Sequence, residues 1–280
     1  MRSRLANLIC LAGLLPGVCN AQQPAASPKT APVTYSLHEV LVHLEENLAD
    51  YLANVPNIFC DEHVISDIEL PHRNRTFRTT TDSIFRLRRA TETSAKVNTF
   101  SESREVKTVN GVPAKGGTVR GPAIFTGAFS GALSVVSLTM AHCYDYTLEP
   151  PGQLDKIPVI TISFALKSSA ISDRSCPGPE KESGHAWIDP ETFHILRIVM
   201  STPNHRMDPT MLALWTWAVN YAPVTFDNKQ FWMPSTISTR AKANDVPVAW
   251  SFTATYSNYH KLIVTSHIIT DVGDDPPPPQ

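Results

Sequence analysis

Gly184-His185-Ala186-Trp187-Ile188, then Asp189-Pro190-Glu191-Thr192, then Phe193-His194-Ile195-Leu196-Arg197-Ile198-Val199-Met200 read as strand, turn and strand. Proline at the second turn position presets φ, and the aspartate before it accepts hydrogen bonds from the backbone just ahead. A second hairpin follows at once. Trp215–Phe226 and Lys229–Thr239 flank Asp227-Asn228, residue types that tolerate the positive φ of a two-residue loop. Two successive hairpins decide the class: an antiparallel sheet, with no βαβ rhythm to suggest a parallel one.

Working outward, Val159–Leu166 places Ile160, Ile162, Phe164 and Leu166 on one face and Thr161 and Ser163 on the other. Ser251–Ser257 places Phe252, Ala254 and Tyr256 against Ser251, Thr253 and Thr255. A strict period of two means one buried face. Further strands are expected at Asn57–Ile68, Thr79–Arg89, Ala95–Val109, His142–Leu148 and Tyr259–Thr270, with a turn at Asn110-Gly111. Arg73–Arg78, Gly116–Phe125 and Asp173–Ser183 read as loops. Residues 36–53 form the clearest helix: Leu37, Val40, Leu41, Leu44, Leu48, Tyr51 and Leu52 recur at helical spacing. Ser36 and Glu39 make a capping box, and Val55-Pro56 ends the helix. Phe129–Met140 reads as a second, short helix. The prediction is a mainly β (α+β) chain of about ten strands and two helices, its twisted sheet concave and apolar on one side.

The chain opens with Arg2 and Arg4, an apolar stretch Leu5–Val18 and small residues at Cys19-Asn20-Ala21. That is the pattern of an export signal, too short to span a bilayer, with cleavage expected after Ala21. Residues 22–34 read as a flexible linker, 35–270 as a single β-domain and 271–280 as a proline-rich disordered tail. A periplasmic or secreted protein that does not span the membrane is the expectation. A net charge of −2 argues against nucleic acid as a partner. Cys60, Cys143 and Cys176 follow the signal. A Cys143–Cys176 disulfide is favoured, leaving Cys60 as a buried thiol; absence of any bridge is the alternative, since spacing does not fix connectivity.

Trp215, Trp217, Val219 and Tyr221 share a strand face, joined by Trp187 and Phe231 if the two hairpins pair. Such residues either fill a core or wall a cavity for a hydrophobic ligand. Ile160, Ile162, Phe164, Phe252 and Tyr256 are further candidates for that lining. His185 and Asp189 share a face without a third ligand, and His38 and His43 miss the i, i+4 spacing, so no metal or cofactor is expected. No Gly-x-Ser-x-Gly is present, and Cys60 and His63 point to opposite faces of a strand. No catalytic residue is assigned. Glu45-Glu46 and Arg86, Arg88 and Arg89 read as solvated faces.

Several stretches together resemble the LolA-like family of exported bacterial proteins: Tyr51-Leu52-Ala53-Asn54-Val55-Pro56-Asn57, Val109-Asn110-Gly111-Val112-Pro113, Gly184–Thr192, Val219-Asn220-Tyr221-Ala222-Pro223-Val224 and Phe231-Trp232-Met233-Pro234. That group includes lipoprotein carriers, outer-membrane lipoprotein-sorting-like proteins and envelope-stress sensor modules of the RseB type. The resemblance implies a half-open antiparallel barrel whose hollow accepts acyl chains. It also implies that helix 36–53, through Leu41, Leu44 and Leu48, and the segment 129–140 lie over that hollow as a lid. The expectation is a non-catalytic carrier for a lipid or lipoprotein acyl chain. The alternative is a module with a filled core that binds an envelope protein.

Overall fold

The computed structural model describes residues 35–89, 100–114, 127–129, 131–177, 180–207, 210–244 and 247–263. The signal peptide, the linker, the loop at 116–125 and the tail expected above lie outside these residues. In chain order the elements are α1 (Leu37–Asn54), β1 (Ile58–Leu70), β2 (Arg75–Arg89), β3 (Phe100–Val109), β4 (Val112–Pro113), α2 (Gly131–Ser134), β5 (Tyr144–Leu148), β6 (Gly152–Leu154), β7 (Ile157–Leu166), β8 (Ser183–Ile188), β9 (Ile195–Met207), β10 (Thr210–Phe226), β11 (Lys229–Ala243) and β12 (Ala249–Lys261). The strands form one 12-stranded antiparallel sheet in the order β4-β3-β2-β1-β12-β11-β10-β9-β8-β7-β5, with β6 also on β7. The first and last long strands, β1 and β12, pair in its interior, and the path does not close, as expected for a half-open barrel.

Local chemistry sets the turns. Asp189 Oδ1 accepts from the N–H groups of Glu191 and Thr192 at 2.8 and 2.9 Å, and Phe193 takes φ 56° to re-enter the strand. Phe226 pairs with Lys229 across Asp227-Asn228, with Asp227 at φ 53°. Asn110 and Gly111, at φ 51° and 74°, close the β3–β4 hairpin. Three expectations need correction. Residues 75–78 are strand, not loop, because a short turn at Pro71–Arg73 with Asn74 at φ 45° reverses the chain early. Arg78 then meets Asp67 through two bonds of 2.8 Å. Tyr259–Lys261 continue β12 past a bulge rather than starting a new strand; residues 264–270 are outside the described region. The helix expected at 129–140 is helical only at Gly131–Ser134, with a 3-10 turn at Thr139–His142. The hydroxyls of Ser134 and Ser137 donate to the carbonyls of Gly131 and Ser134, and such local bonds compete with helix continuation.

Register aligns the buried face in rows. One row runs Val64 (β1), Ala254 (β12), Ile237 (β11), Val219 (β10), Ile198 (β9), Ala186 (β8) and Ile162 (β7). Ile58, Cys60, Phe85 and Leu87 on one side of the sheet and Tyr144, Phe164 and Leu166 on the other belong to a single buried cluster with α1. The sheet therefore curls around one core. Within it Phe164 lies over Gly184, where an added Cβ would come 2.5 Å from the ring Cζ.

Candidate functional site

The candidate site lies where α1 crosses the concave face. At about 1.5 Å per residue, its 18 residues span about 27 Å. Ser36 caps it: its Oγ accepts from Glu39 N at 3.2 Å while Glu39 Oε2 accepts from Ser36 N at 2.7 Å. Val40, Leu41, Leu44, Leu48 and Tyr51 are buried against the sheet.

Polar bonds fasten the helix along its length. Thr139 donates its N–H and its hydroxyl to Glu45, at 3.1 and 2.7 Å. Asn47 Nδ2 donates to the carbonyls of Thr192 and Phe193 at 3.0 and 2.9 Å. Lys229 bonds Asp50 at 2.6 Å and holds its carboxyl below the usual carboxylate range. At the C-terminal end Arg89 donates to the carbonyls of Leu52 and Val55 at 2.6 and 3.0 Å. A guanidinium there satisfies carbonyls the helix leaves open and opposes the negative end of its dipole. Glu45 and Arg89, read from sequence as parts of solvated faces, are thus fasteners of α1.

A crevice of about 40 Å³ remains between the helix and the sheet. Leu44, Leu48, Leu133, Phe193, Ile195 and Phe231 supply its apolar walls. Tyr51 and His194 line it too, and the Tyr51 hydroxyl and His194 Nδ1 are buried without a hydrogen-bond partner among the described residues. Burial lowers the His194 pKa and raises that of Tyr51. Phe231 also borders a wider, open groove of about 420 Å³ at the end of α1, with Pro56, Phe226, Lys229 and Lys261.

Deeper on the same face is a buried polar cluster. Glu62, 2% exposed, accepts from Arg104 Nε on both oxygens at 2.8 and 2.9 Å and from the Tyr256 hydroxyl at 2.8 Å. Arg104 lies 4.8 Å over the Phe85 ring. Glu102 Oε1 accepts from Gly127 N at 3.0 Å, while Oε2 is buried without a hydrogen-bond partner among the described residues, 3.9 Å from Arg104; burial raises its pKa. Burial also raises the Cys60 thiol to about 12, which keeps it protonated and unreactive at neutral pH.

The residues singled out from sequence separate into groups. Leu44, Leu48 and Phe231 meet at the crevice. Leu41, Trp217, Tyr221, Ile162, Phe164, Phe252 and Tyr256 are buried in the core, with Ile160 and Trp215 half-buried at its margin. Trp215 Nε1 donates to Thr239 Oγ1 at 2.9 Å. Trp187 is half-buried on the face opposite Ala186 and Ile188, with Arg197 5.5 Å over its ring and His185 beside it. Phe193, Ile195 and Trp232 line the crevice but were not singled out. Phe193 and Ile195 sit in the first hairpin, where only the position of α1 reveals their role.

No metal geometry joins His185 to Asp189: His185 Nε2 faces Glu149 at 3.4 Å, and Asp189 Oδ1 is spent on its turn. Cys143 and Cys176 form a disulfide, and His142 Nε2 lies 3.2 Å from Cys143 Sγ.

No family model matches the chain, and no curated protein matches its sequence. Several solved structures are similar to it over most of their length. One is described as an outer membrane lipoprotein-sorting protein domain from Vibrio parahaemolyticus, at 12% identity and TM-score 0.38 over 80% of this chain and 93% of that one. Another is a LolA superfamily protein from Nitrosomonas europaea, at 10% identity and TM-score 0.35 over 83% and 96%. A third is the lipoprotein LppX of Mycobacterium tuberculosis, at 10% identity and TM-score 0.27 over 82% and 100%. At these identities the likeness concerns the fold, which stands here on the strand pairing itself.

Proposed function

We propose that the chain is an exported, non-catalytic binding protein that takes the hydrophobic chain of a lipid or lipidated ligand beneath α1. The crevice carries this reading, because Leu44, Leu48, Leu133, Phe193, Ile195 and Phe231 make most of its wall, with Asn47, Asp50, His194 and Gln230 as its polar part, and it lies under a single helix. Each methylene buried there would contribute about 0.8 kcal/mol without any catalytic group. At about 40 Å³ the crevice is far below the roughly 300 Å³ at which ligand sites begin, so the ligand would have to lift α1. Phe231, shared with the groove at Pro56 and Phe226, marks the way in. The Cys143–Cys176 disulfide supports an oxidising compartment such as the periplasm.

A second reading has its own support. Phe85, Phe129 and Tyr256 pack ring against ring, with centroids 4.4 to 5.5 Å apart, and fill the concave face. A filled face favours a module that binds an envelope protein through its surface.

Native mass spectrometry of the chain purified from a bacterial periplasm, with titration by a fluorescent fatty acid, separates the two. A lipid adduct and saturable one-to-one binding are expected, weakened at least about tenfold (1.4 kcal/mol) by Leu48→Trp, which fills the crevice. A bare mass and no saturable binding would leave the protein-binding module.

A further inference from the structure

We propose that the corner where the turn Thr139–His142 meets β5 is a redox-gated cation site. Once the Cys143–Cys176 bond is reduced, His142, Cys143 and Cys176 take a thiophilic divalent cation of the zinc type.

One ligand atom from each of the three residues lies within 4.8 Å of the others. Two sulfurs and an imidazole nitrogen form the soft donor set that zinc prefers, with a fourth position left for water. The imidazole is aimed. Its Nδ1 meets the Thr139 carbonyl at 2.9 Å, and a carbonyl can only accept, so Nδ1 carries the proton. In the neutral ring the Nε2 lone pair then faces Cys143 Sγ and Ser175 Oγ, each at 3.2 Å. Ser175 donates both its N–H and its hydroxyl to Asp173 Oδ1, at 2.8 and 2.7 Å, so its hydroxyl proton sits on that carboxylate and not on the ring nitrogen. A metal-binding histidine is commonly oriented by a carbonyl on its other nitrogen in this way. Access is one-sided: His142 is exposed, Cys176 half-buried and Cys143 buried.

In the oxidised chain the sulfurs are bonded to each other, and thiolates are what bind such a cation. A dithiol reductant supplies two electrons and two protons. The S–S bond breaks, Cys143 and Cys176 become thiols, and the dithiol closes to its own disulfide. Zinc then displaces the two thiol protons to solvent. The covalent bond and the cation would thus hold the same two points of the chain, 33 residues apart, in alternative redox states. Thr139, which aims His142, also binds Glu45 on α1, so either closure keeps the helix fastened at that point.

The test uses the full chain carrying Cys10→Ser, Cys19→Ser and Cys60→Ser, so that no other thiol competes. Zinc binding is measured by competition with a chromophoric chelator, before and after reduction with a phosphine. One zinc per chain is expected in the reduced form and none in the oxidised form. Cobalt in place of zinc should show thiolate charge-transfer absorption and a tetrahedral d–d band. His142→Ala should weaken binding at least about tenfold and shift that band. If reduction loosens the fold, zinc should restore the near-ultraviolet dichroism of the oxidised chain. The proposal is overturned if oxidised protein binds zinc equally. It is also overturned if His142→Ala leaves affinity and cobalt spectrum unchanged, or if the reduced chain neither binds zinc nor is restored by it.

Discussion

The two ends of one sheet face behave differently. Near α1, the β1–β2 pairs Ile58–Leu87 and Cys60–Phe85 are fully buried, and even the Glu62 carboxylate is dry. Further along the same strands, on the same face, Ile68 pairs with Phe77 and with Trp250. There Ile68 is 37% and Phe77 46% exposed. The residues are as apolar at the open end as at the covered end. What differs is the cover: at the closed end the Phe129 ring stacks on Phe85 at 4.4 Å and Arg104 lies 4.8 Å over it. Burial on this face is set by what lies across the strands, not by alternation along them.

Breaking the covered end should cost most. Glu62→Ala takes from Arg104 the carboxylate whose two oxygens share its Nε–H, and removing one member of a buried ion pair costs about 3–5 kcal/mol. Urea unfolding followed by tryptophan fluorescence reads this; a loss below about 1 kcal/mol would mean that the cluster is wetter than the 2% exposure of Glu62 indicates. A smaller effect of opposite sign sharpens the comparison. Burial raises the Glu102 pKa, so the folded chain holds that proton to higher pH than the unfolded chain. Its contribution to stability is therefore fully present below the unfolded carboxylate pKa and declines as pH rises through the raised value. Glu102→Gln keeps an acceptor for Gly127 N and should raise stability at pH 7 relative to wild type, with the gain vanishing near pH 3. A gain independent of pH would rule out titration as its source. The smallest change belongs to the open end: Phe77→Ser should cost about 1 kcal/mol, since Phe77 is already 46% exposed and has only part of its surface to lose.

Much of this fold is written locally. Pro190, Asp189, Asp227-Asn228 and Asn110-Gly111 announce their turns because the φ requirement belongs to the residue itself. Ser36 and Glu39 announce the start of α1 for the same reason. The Cys143–Cys176 disulfide is the pairing expected of two cysteines that flank a strand and its connection. The rest depends on partners far along the chain. Arg75–Arg78 look like a loop until Asp67 pairs with Arg78 across the hairpin. Glu62 reads as one more charge beside Cys60, and only the β2–β3 register brings Arg104 to it. Trp187 looks like wall material, yet strand alternation places it with exposed His185 and beneath Arg197. Phe193 and Ile195 are legible as hairpin residues, but their place at the crevice requires knowing where α1 lands.

The bare α-carbon of Gly184 sets the tolerance of its surroundings unevenly. Its own position admits no side chain, because the Phe164 ring and the Val199 carbonyl already stand where a methyl would go. The ring is the converse case: cut back to alanine, it would leave a void above a residue with nothing to swing into it. Most buried aromatics have neighbours that can slump into a gap. Here one neighbour, Gly184, has nothing to contribute, so loss of the ring would open a chamber bordered by Tyr144.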